Sequence, residues 1–302
     1  MDRLRTMEVF CKVVDTGSFV AASDALDMSR PMASKHVQRL EDELGVRLLN
    51  RTTRTVSPTE AGHIFYRQCQ TIFAAVDDAV SEVSDLQTAP KGRLRINAPI
   101  SFGELHLTEA IAAFQDAHPL ITVDLDLNDR VVDIVEDGYD LAIRIGELRD
   151  SSLVATRLTP CRLMLCASPD YLKAQDRPET PDDLATHNCL IYTHLAQQAL
   201  WRFTRDGEER TISVSGDFRS TFGGAVFAAA LAGRGICLEP SFVVGDALRD
   251  GRLEALLPGW SPRTLGIHAV FPQARLLPRK VRLFIDHLKT AFGTEPDWDR
   301  GL

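Results

Sequence analysis

Between Met28 and Gly45 the chain reads MSRPMASKHVQRLEDELG, and its apolar residues Ala33, Val37, Leu40 and Leu44 recur at intervals of four, three and four. That spacing describes a helix with one inward face. Ser29 suits its N-cap, and Pro31 suits the first turn, where a missing amide costs nothing. The opposite face gathers Arg30, Ser34, Lys35 and Gln38 toward the N-terminal end. A short helix is predicted just upstream, in FVAASDALD, with Ser18 as cap, Phe19, Ala22 and Leu26 on one face, and a tight turn at Asp27 and Met28. Before it, Leu4, Met7, Phe10 and Val14 predict a first helix over 4–15 that ends at Gly17. Two short helices, a tight turn and an outward polar face make a helix-turn-helix. In that motif the second helix offers its N-terminal residues to base edges in the major groove.

Charge points the same way. The chain holds 34 basic and 42 acidic residues, a formal net charge of −8. Six of those bases and three of those acids fall between Ser29 and Arg54, a local net of +3 that leaves −11 for the remainder. A basic island on an acidic body is the footprint of a phosphate-binding surface, with a solvated helix face as the plain alternative. After Gly45, VRLLNRTTRTVSPTEAG packs Val46, Leu48 and Leu49 on the helices and projects Arg51, Thr52 and Arg54 from a short hairpin. Arginines beside threonines suit phosphate oxygens.

Residues 17–62, GSFVAASDALDMSRPMASKHVQRLEDELGVRLLNRTTRTVSPTEAG, resemble the DNA-binding signature of LysR-type transcriptional regulators. The resemblance implies base contacts from Ser29, Arg30, Pro31, Ser34 and Lys35, and phosphate contacts from Arg51, Thr52 and Arg54. Arg30 stands where the family commonly has Gln or another neutral polar residue.

Ser57, Pro58 and Glu60 read as N-cap, N1 and N3 of the next helix. Along it Phe65, Cys69, Ile72, Val76, Ala79, Val83 and Leu86 alternate by four and three, the repeat of a coiled-coil seam. Packing of this helix on its own domain is the alternative. A seam would hold two recognition helices across a two-fold axis. The resemblance assigns a dimerising linker here, and with it a homodimer or homotetramer.

From Arg93 the pattern changes. The strands RLRINA, LITVDLDL and DLAIRIG alternate with helical segments, and a further α/β unit follows from about residue 162 with RLMLCAS, CLIYTH and TFGGAVFAAALAGRGICLEP. GIHAVFP and a helix to about residue 291 return to the first of these units. The expected fold class is therefore an N-terminal all-α winged helix-turn-helix plus linker helix and a C-terminal α/β two-lobed effector domain. Its boundaries fall at 1–59, 60–88 and 92–302, with one lobe over about 92–161 and 267–302 and the other over about 162–266. Alternating strands and helices imply parallel sheets with clefts beyond the strand ends.

GYDLAIRIGEL and AALAGRGICLEP resemble the effector domain of the same family, similar in fold to type 2 periplasmic binding proteins. The resemblance places effector residues at Ser101, Phe102, Asn128, Arg144, Glu147, Thr193 and Thr221. Ser101 opens a helix, where it holds an anion or a carbonyl, or is an ordinary N-cap. Arg144 faces a ligand or pairs with a carboxylate such as Glu147. Arg234 and Glu239 replace residues that are usually apolar in the family motif.

Other classes fit less well. No apolar run approaches 18 residues, so no membrane span is expected. MDRLRTMEVF lacks an apolar signal region, and six cysteines without a C-x-x-C pair read as reduced structural thiols, which together point to the cytoplasm. A redox pair at Cys161 and Cys166 is the alternative use. Without G-x-G-x-x-G, a Walker loop or G-x-S-x-G, no enzyme, catalytic residue, metal or cofactor is expected. A solute-binding protein leaves residues 1–62 without a purpose. The sequence describes a regulator that binds double-stranded promoter DNA as an oligomer, answers a small-molecule effector and engages RNA polymerase.

Overall fold

Helix α1 (Arg3–Thr16), α2 (Phe19–Ala25) and α3 (Arg30–Leu44) form where the apolar spacing and caps place them. The computed structural model describes residues 3–51, 56–84, 89–147, 153–194, 199–273 and 277–302, less the side chains of Arg51, Ala74, Ala75 and residues 77–84. Ser18 caps α2 through its hydroxyl, which accepts from the Ala21 amide, and Gly45 ends α3 in the left-handed conformation at φ 67°. Phe10, Val13, Ala22, Ala33, Val37 and Leu40 close one core between the three helices. Leu4, expected inside, is exposed; the inward stripe of α1 runs through Met7, Val9, Phe10 and Val13.

Strands β1 (Leu49–Arg51) and β2 (Val56–Pro58) pair antiparallel to make the wing. The Glu41 carboxylate of α3 accepts from the Leu48 and Leu49 amides at 2.8 and 3.1 Å, so the wing is tied to the recognition helix. Helix α4 (Glu60–Ser84) follows. Its cap is Thr59, whose hydroxyl accepts from the Gly62 amide at 3.0 Å and donates to the Arg47 carbonyl at 2.8 Å. Ser57 and Pro58, expected as cap and first turn, lie instead in β2, because pairing with Leu49 and Asn50 holds them extended. Gly62 permits the crossing: a Cβ there would stand 2.0 Å from the Leu48 carbonyl oxygen.

The chain divides into two compact units, one built on Met1–Thr88 and the other on Ala89–Ile134 and Tyr139–Leu302. In the second unit, β3 (Gly92–Ala98) leads through α5 (Ile100–Phe102) and a π-turn (Gly103–Leu107) into α6 (Thr108–Ala117). Next come β4 (Ile121–Leu127), β5 (Leu141–Gly146), β6 (Leu153–Cys161), β7 (Leu163–Ala167) and helix α7 (Pro169–Ala174). Strand β8 (Cys189–Tyr192), the hairpin β9 (Leu200–Arg205) and β10 (Glu208–Ser213), and β11 (Arg219–Ser220) precede α8 (Gly223–Leu231). The chain ends with β12 (Ile236–Pro240), α9 (Ser241–Arg249), β13 (Glu254–Ala255), β14 (Ser261–Pro262), β15 (Leu265–Pro272) and α10 (Arg279–Phe292).

These strands build two five-stranded sheets, in the orders β4-β3-β5-β15-β6 and β11-β8-β12-β7-β13, and a small sheet β10-β9-β14. Both larger sheets are mixed, not parallel throughout: β15 runs antiparallel to β5 and β6, and β12 antiparallel to β7. The returning strand β15 inserts between β5 and β6 and runs antiparallel to both.

Strand periodicity assigns the faces. In the second sheet Leu165, Ala167, Ile236 and Leu238 pack with Trp201, Phe203 and Trp260, while Cys166 and Cys237, one residue out of phase, pack with Val226, Ala230 and Val244 of α8 and α9. The first sheet buries Leu94, Ile96 and Ile143 under Phe114 of α6 and Phe284 of α10, whose rings meet edge-on at 5.0 Å.

Candidate nucleic-acid surface and inter-sheet cavity

The first turns of α3 hold Ser29, Arg30, Pro31 and Lys35 exposed, and Ser34 half-buried. Ser29 occupies the N-cap but its hydroxyl makes no capping hydrogen bond. Arg39, one turn further on, is already engaged by Glu43 at 2.8 Å, an exposed pair of small energetic weight. His36 points the other way. It is buried and shares a 3.1 Å hydrogen bond with Thr6 of α1, and burial followed by the charges of Arg5 and Arg39 holds its pKa below the ordinary imidazole value. It is a neutral strut behind the exposed face. Thr52 and Arg54 of the wing lie outside the described residues, as does the side chain of Arg51.

The expected seam on α4 divides. Cys69 is fully buried in the helix-turn-helix core, and Phe65 packs against that core with its ring 5.7 Å from Phe10. Cys69 is therefore corrected: it serves its own domain, because the first turns of α4 cover α1, whereas Phe65 is half-buried. Ile72 and Val76 are exposed. The side chains of Ala79 and Val83, and Leu86 entirely, lie outside the described residues.

In the second unit a cavity of about 170 Å³ opens between the two large sheets. Of the residues expected there, Ser101, Phe102, Asn128 and Arg144 line it. Ser101 is not a cap, since α5 starts from Pro99. Phe102 is a wall rather than a contact group, fully buried against Phe242, Phe292 and Trp298 at 5.3–5.9 Å. Asn128 accepts from the Arg130 amide at 2.8 Å and so shapes its own loop. Arg144 donates from Nη1 to Asn97 Oδ1 at 2.6 Å and to the Ile143 carbonyl at 3.1 Å, while its Nη2 is buried with no partner. Burial lowers its pKa, yet an arginine stays protonated.

Glu147, Thr193 and Thr221 do not line the cavity. Glu147 is an exposed residue paired with Arg263, not with Arg144. Thr193 is turned to the Ser220 carbonyl, donating at 3.2 Å, and Thr221 is exposed outside the cavity. The residues on either side of Thr193 are the ones in the lining: Tyr192 at the end of β8 and His194 in the turn beyond it. Asp129 and Glu239 also line it, and neither was singled out as a site residue. A carboxylate in the otherwise apolar strand ICLEP was the available signal for Glu239.

Glu239 is the unusual member. It is 2% exposed, its Oε1 has no hydrogen-bond partner, and burial followed by the charge of Asp129 raises its pKa well above the usual carboxylate range. Tyr192 is pushed up for the same reasons, burial first.

Residues 4–63 match the family model of bacterial regulatory helix-turn-helix proteins of the lysR family, and residues 87–293 match the LysR substrate binding domain. A helix-turn-helix transcriptional regulator of Haemophilus influenzae is 39% identical, covering 93% of this chain and 98% of its own. The regulator PtxR of Pseudomonas aeruginosa is 38% identical over 97% of this chain and 94% of its own. The solved structure of CrgA, a LysR-type transcriptional regulator from Neisseria meningitidis, superposes with a TM-score of 0.62 at 32% identity, over 96% of this chain and 99% of that one. The chain belongs to the LysR family of helix-turn-helix transcriptional regulators.

Proposed function

We propose that the protein binds promoter DNA as a homodimer or homotetramer and that a small-molecule effector in the inter-sheet cavity changes its affinity or its bending of that DNA. The observation that carries the DNA reading is the exposed face of the first two turns of α3, where Arg30 and Lys35 form no ion pair among the described residues, on a helix braced from behind by His36 and Glu41. Ser29, Arg30, Pro31, Ser34 and Lys35 read bases, and Arg51, Thr52 and Arg54 hold phosphates. Ile72 and Val76 of α4, with Ala79, Val83 and Leu86, join two copies so that two recognition helices meet a two-fold related site. Effector and DNA are then coupled reciprocally, and RNA polymerase reads the result. The site of action is the cytoplasm.

The test is fluorescence anisotropy with promoter fragments flanking the protein's own gene, titrated between low and moderate salt. Tight binding to one fragment, with affinity falling steeply as salt rises, is the expected result. Equal, weak binding to every fragment would overturn the reading.

A further inference from the structure

The inter-sheet cavity holds two polar groups that the protein leaves without partners. Arg144 on β5 has a buried, unpaired Nη2, and Glu239 on β12 has a buried, unpaired Oε1. Leaving such groups unsatisfied is costly, more so when they are charged, so native chains rarely keep two in one place without a use. Arg144 stands in one sheet and Glu239 in the other.

We infer that the ligand of this cavity is a small zwitterion with an apolar body, an apolar α-amino acid in its chemistry, held by its carboxylate on Arg144 and by its ammonium on Glu239. This rests on the effector reading of the cavity. The remaining Nη2 of Arg144 is a cationic donor with its other amino group already committed to Asn97, which suits a carboxylate. At the other end the charged group acting on Glu239 is Asp129, a second acid. A ligand oxygen there would set its lone pairs toward the Asp129 charge, whereas an ammonium gains from both carboxyls. Between the two ends the walls are apolar, with Phe102, Ile145, Leu163, Leu238, Phe242 and Val243. The volume of about 170 Å³ matches cavities that hold a benzene-sized body. Gly223 keeps the space over Glu239 open, since a Cβ there would lie 3.1 Å from Oε2.

Proton release accompanies binding. Burial and the Asp129 charge favour the protonated form of Glu239 in the empty cavity, and an arriving ammonium favours its carboxylate, so binding draws the proton off. Arg130, Arg144, Tyr192 and His194 are the other charged or titratable groups in the lining.

The experiment is isothermal calorimetry on the full chain at pH 7 in two buffers of different ionisation enthalpy. The probes are L-leucine and L-phenylalanine, their des-amino acids and their decarboxylated amines. At least one amino acid should bind tenfold or more tighter than both of its single-charge analogues, releasing about one proton. Glu239→Gln should abolish the release and cost tenfold or more in amino-acid affinity while leaving des-amino acid binding unchanged; His194→Gln should leave the release intact. Melting curves check that each variant is folded. Equal binding of amino acid and des-amino acid, lost in Arg144→Ala but not in Glu239→Gln, would overturn the zwitterion and keep the effector cavity. No binding of any probe would overturn the zwitterion; promoter affinity that still responds to a cell extract, and ceases to in Arg144→Ala, would then keep the effector reading standing on its own.

Discussion

The Lys280 ammonium lies 3.0 Å from the Asp140 carboxylate, with the two side chains only 10% and 16% exposed. Lys280 also donates to the Arg93 carbonyl at 2.7 Å, and Asp140 accepts from the Arg95 amide at 2.8 Å, so the pair fastens α10 to β3 and to the approach of β5. Lys280→Met removes one partner and leaves a carboxylate in a nearly enclosed place. The second unit should lose about 3 kcal/mol, the low end for a broken enclosed pair because Asp140 keeps the Arg95 amide. Urea unfolding measures this. The double variant Lys280→Met, Asp140→Leu should recover part of the loss, and a single-variant loss below about 1 kcal/mol would make the pair incidental.

Lys35→Ala removes an exposed cation from the first turns of α3. It should weaken binding to the specific promoter fragment by about 1–3 kcal/mol and relax discrimination at one base step, with random DNA affected less. Anisotropy titrations on both DNAs check it. An equal loss on the two would assign Lys35 to phosphate contact only.

The two halves of the α4 stripe should respond differently to the same chemistry. Val76→Asp places a carboxylate on an exposed position, so folding should be unaffected while the oligomer seen by sedimentation becomes smaller. Cys69→Asp places one in the core beside Cys11 and should unfold the first unit outright. An intact oligomer in Val76→Asp would move the interface elsewhere.

Stability should depend on pH in opposite senses at two groups. His106 is half-buried, with Nε2 3.2 Å from the Phe242 carbonyl and its ring 4.4 Å from Trp298, and burial lowers its pKa below the ordinary value of about 6.5. Its contribution is complete above that value and is lost as pH falls toward the folded pKa. Glu239 is raised, so its contribution is complete below the ordinary carboxyl range and is lost as pH rises through its folded pKa. Urea midpoints between pH 5 and 8 should show a shallower acid loss in His106→Gln and a gain at the alkaline end in Glu239→Gln. Curves parallel to the parent protein would contradict both assignments.

Helix spacing made the first unit legible. Ala33, Val37 and Leu40 are buried and Leu44 half-buried, because a three-helix core leaves one way to dry those residues. The α4 stripe misled because a four-three repeat states that a face is covered and not by what; Phe10 and Cys11 cover its beginning. In the second unit one residue of phase decided the site: Thr193 was expected where Tyr192 and His194 stand. The β9–β10 hairpin went unread although Asp206 and Gly207, at φ 51° and 84°, are the Asp-Gly pair such turns favour. Glu239 was visible as an oddity, and only the fold could put Arg144 in the same cavity.

Rooting α4 in the helix-turn-helix core has a mechanical consequence. The residues from Glu60 to Phe73 share the core of the recognition helix, while the turns from there to Ser84 continue for about 16 Å. The inner half cannot pivot without carrying Lys35 with it. Swinging the outer half by about 10° moves its tip by about 3 Å, close to the rise of one base pair. In the proposed dimer the helix is thus a crank whose bearing is the DNA-binding domain itself, and a small torque on its outer arm is enough to take two reading heads in or out of step with the groove.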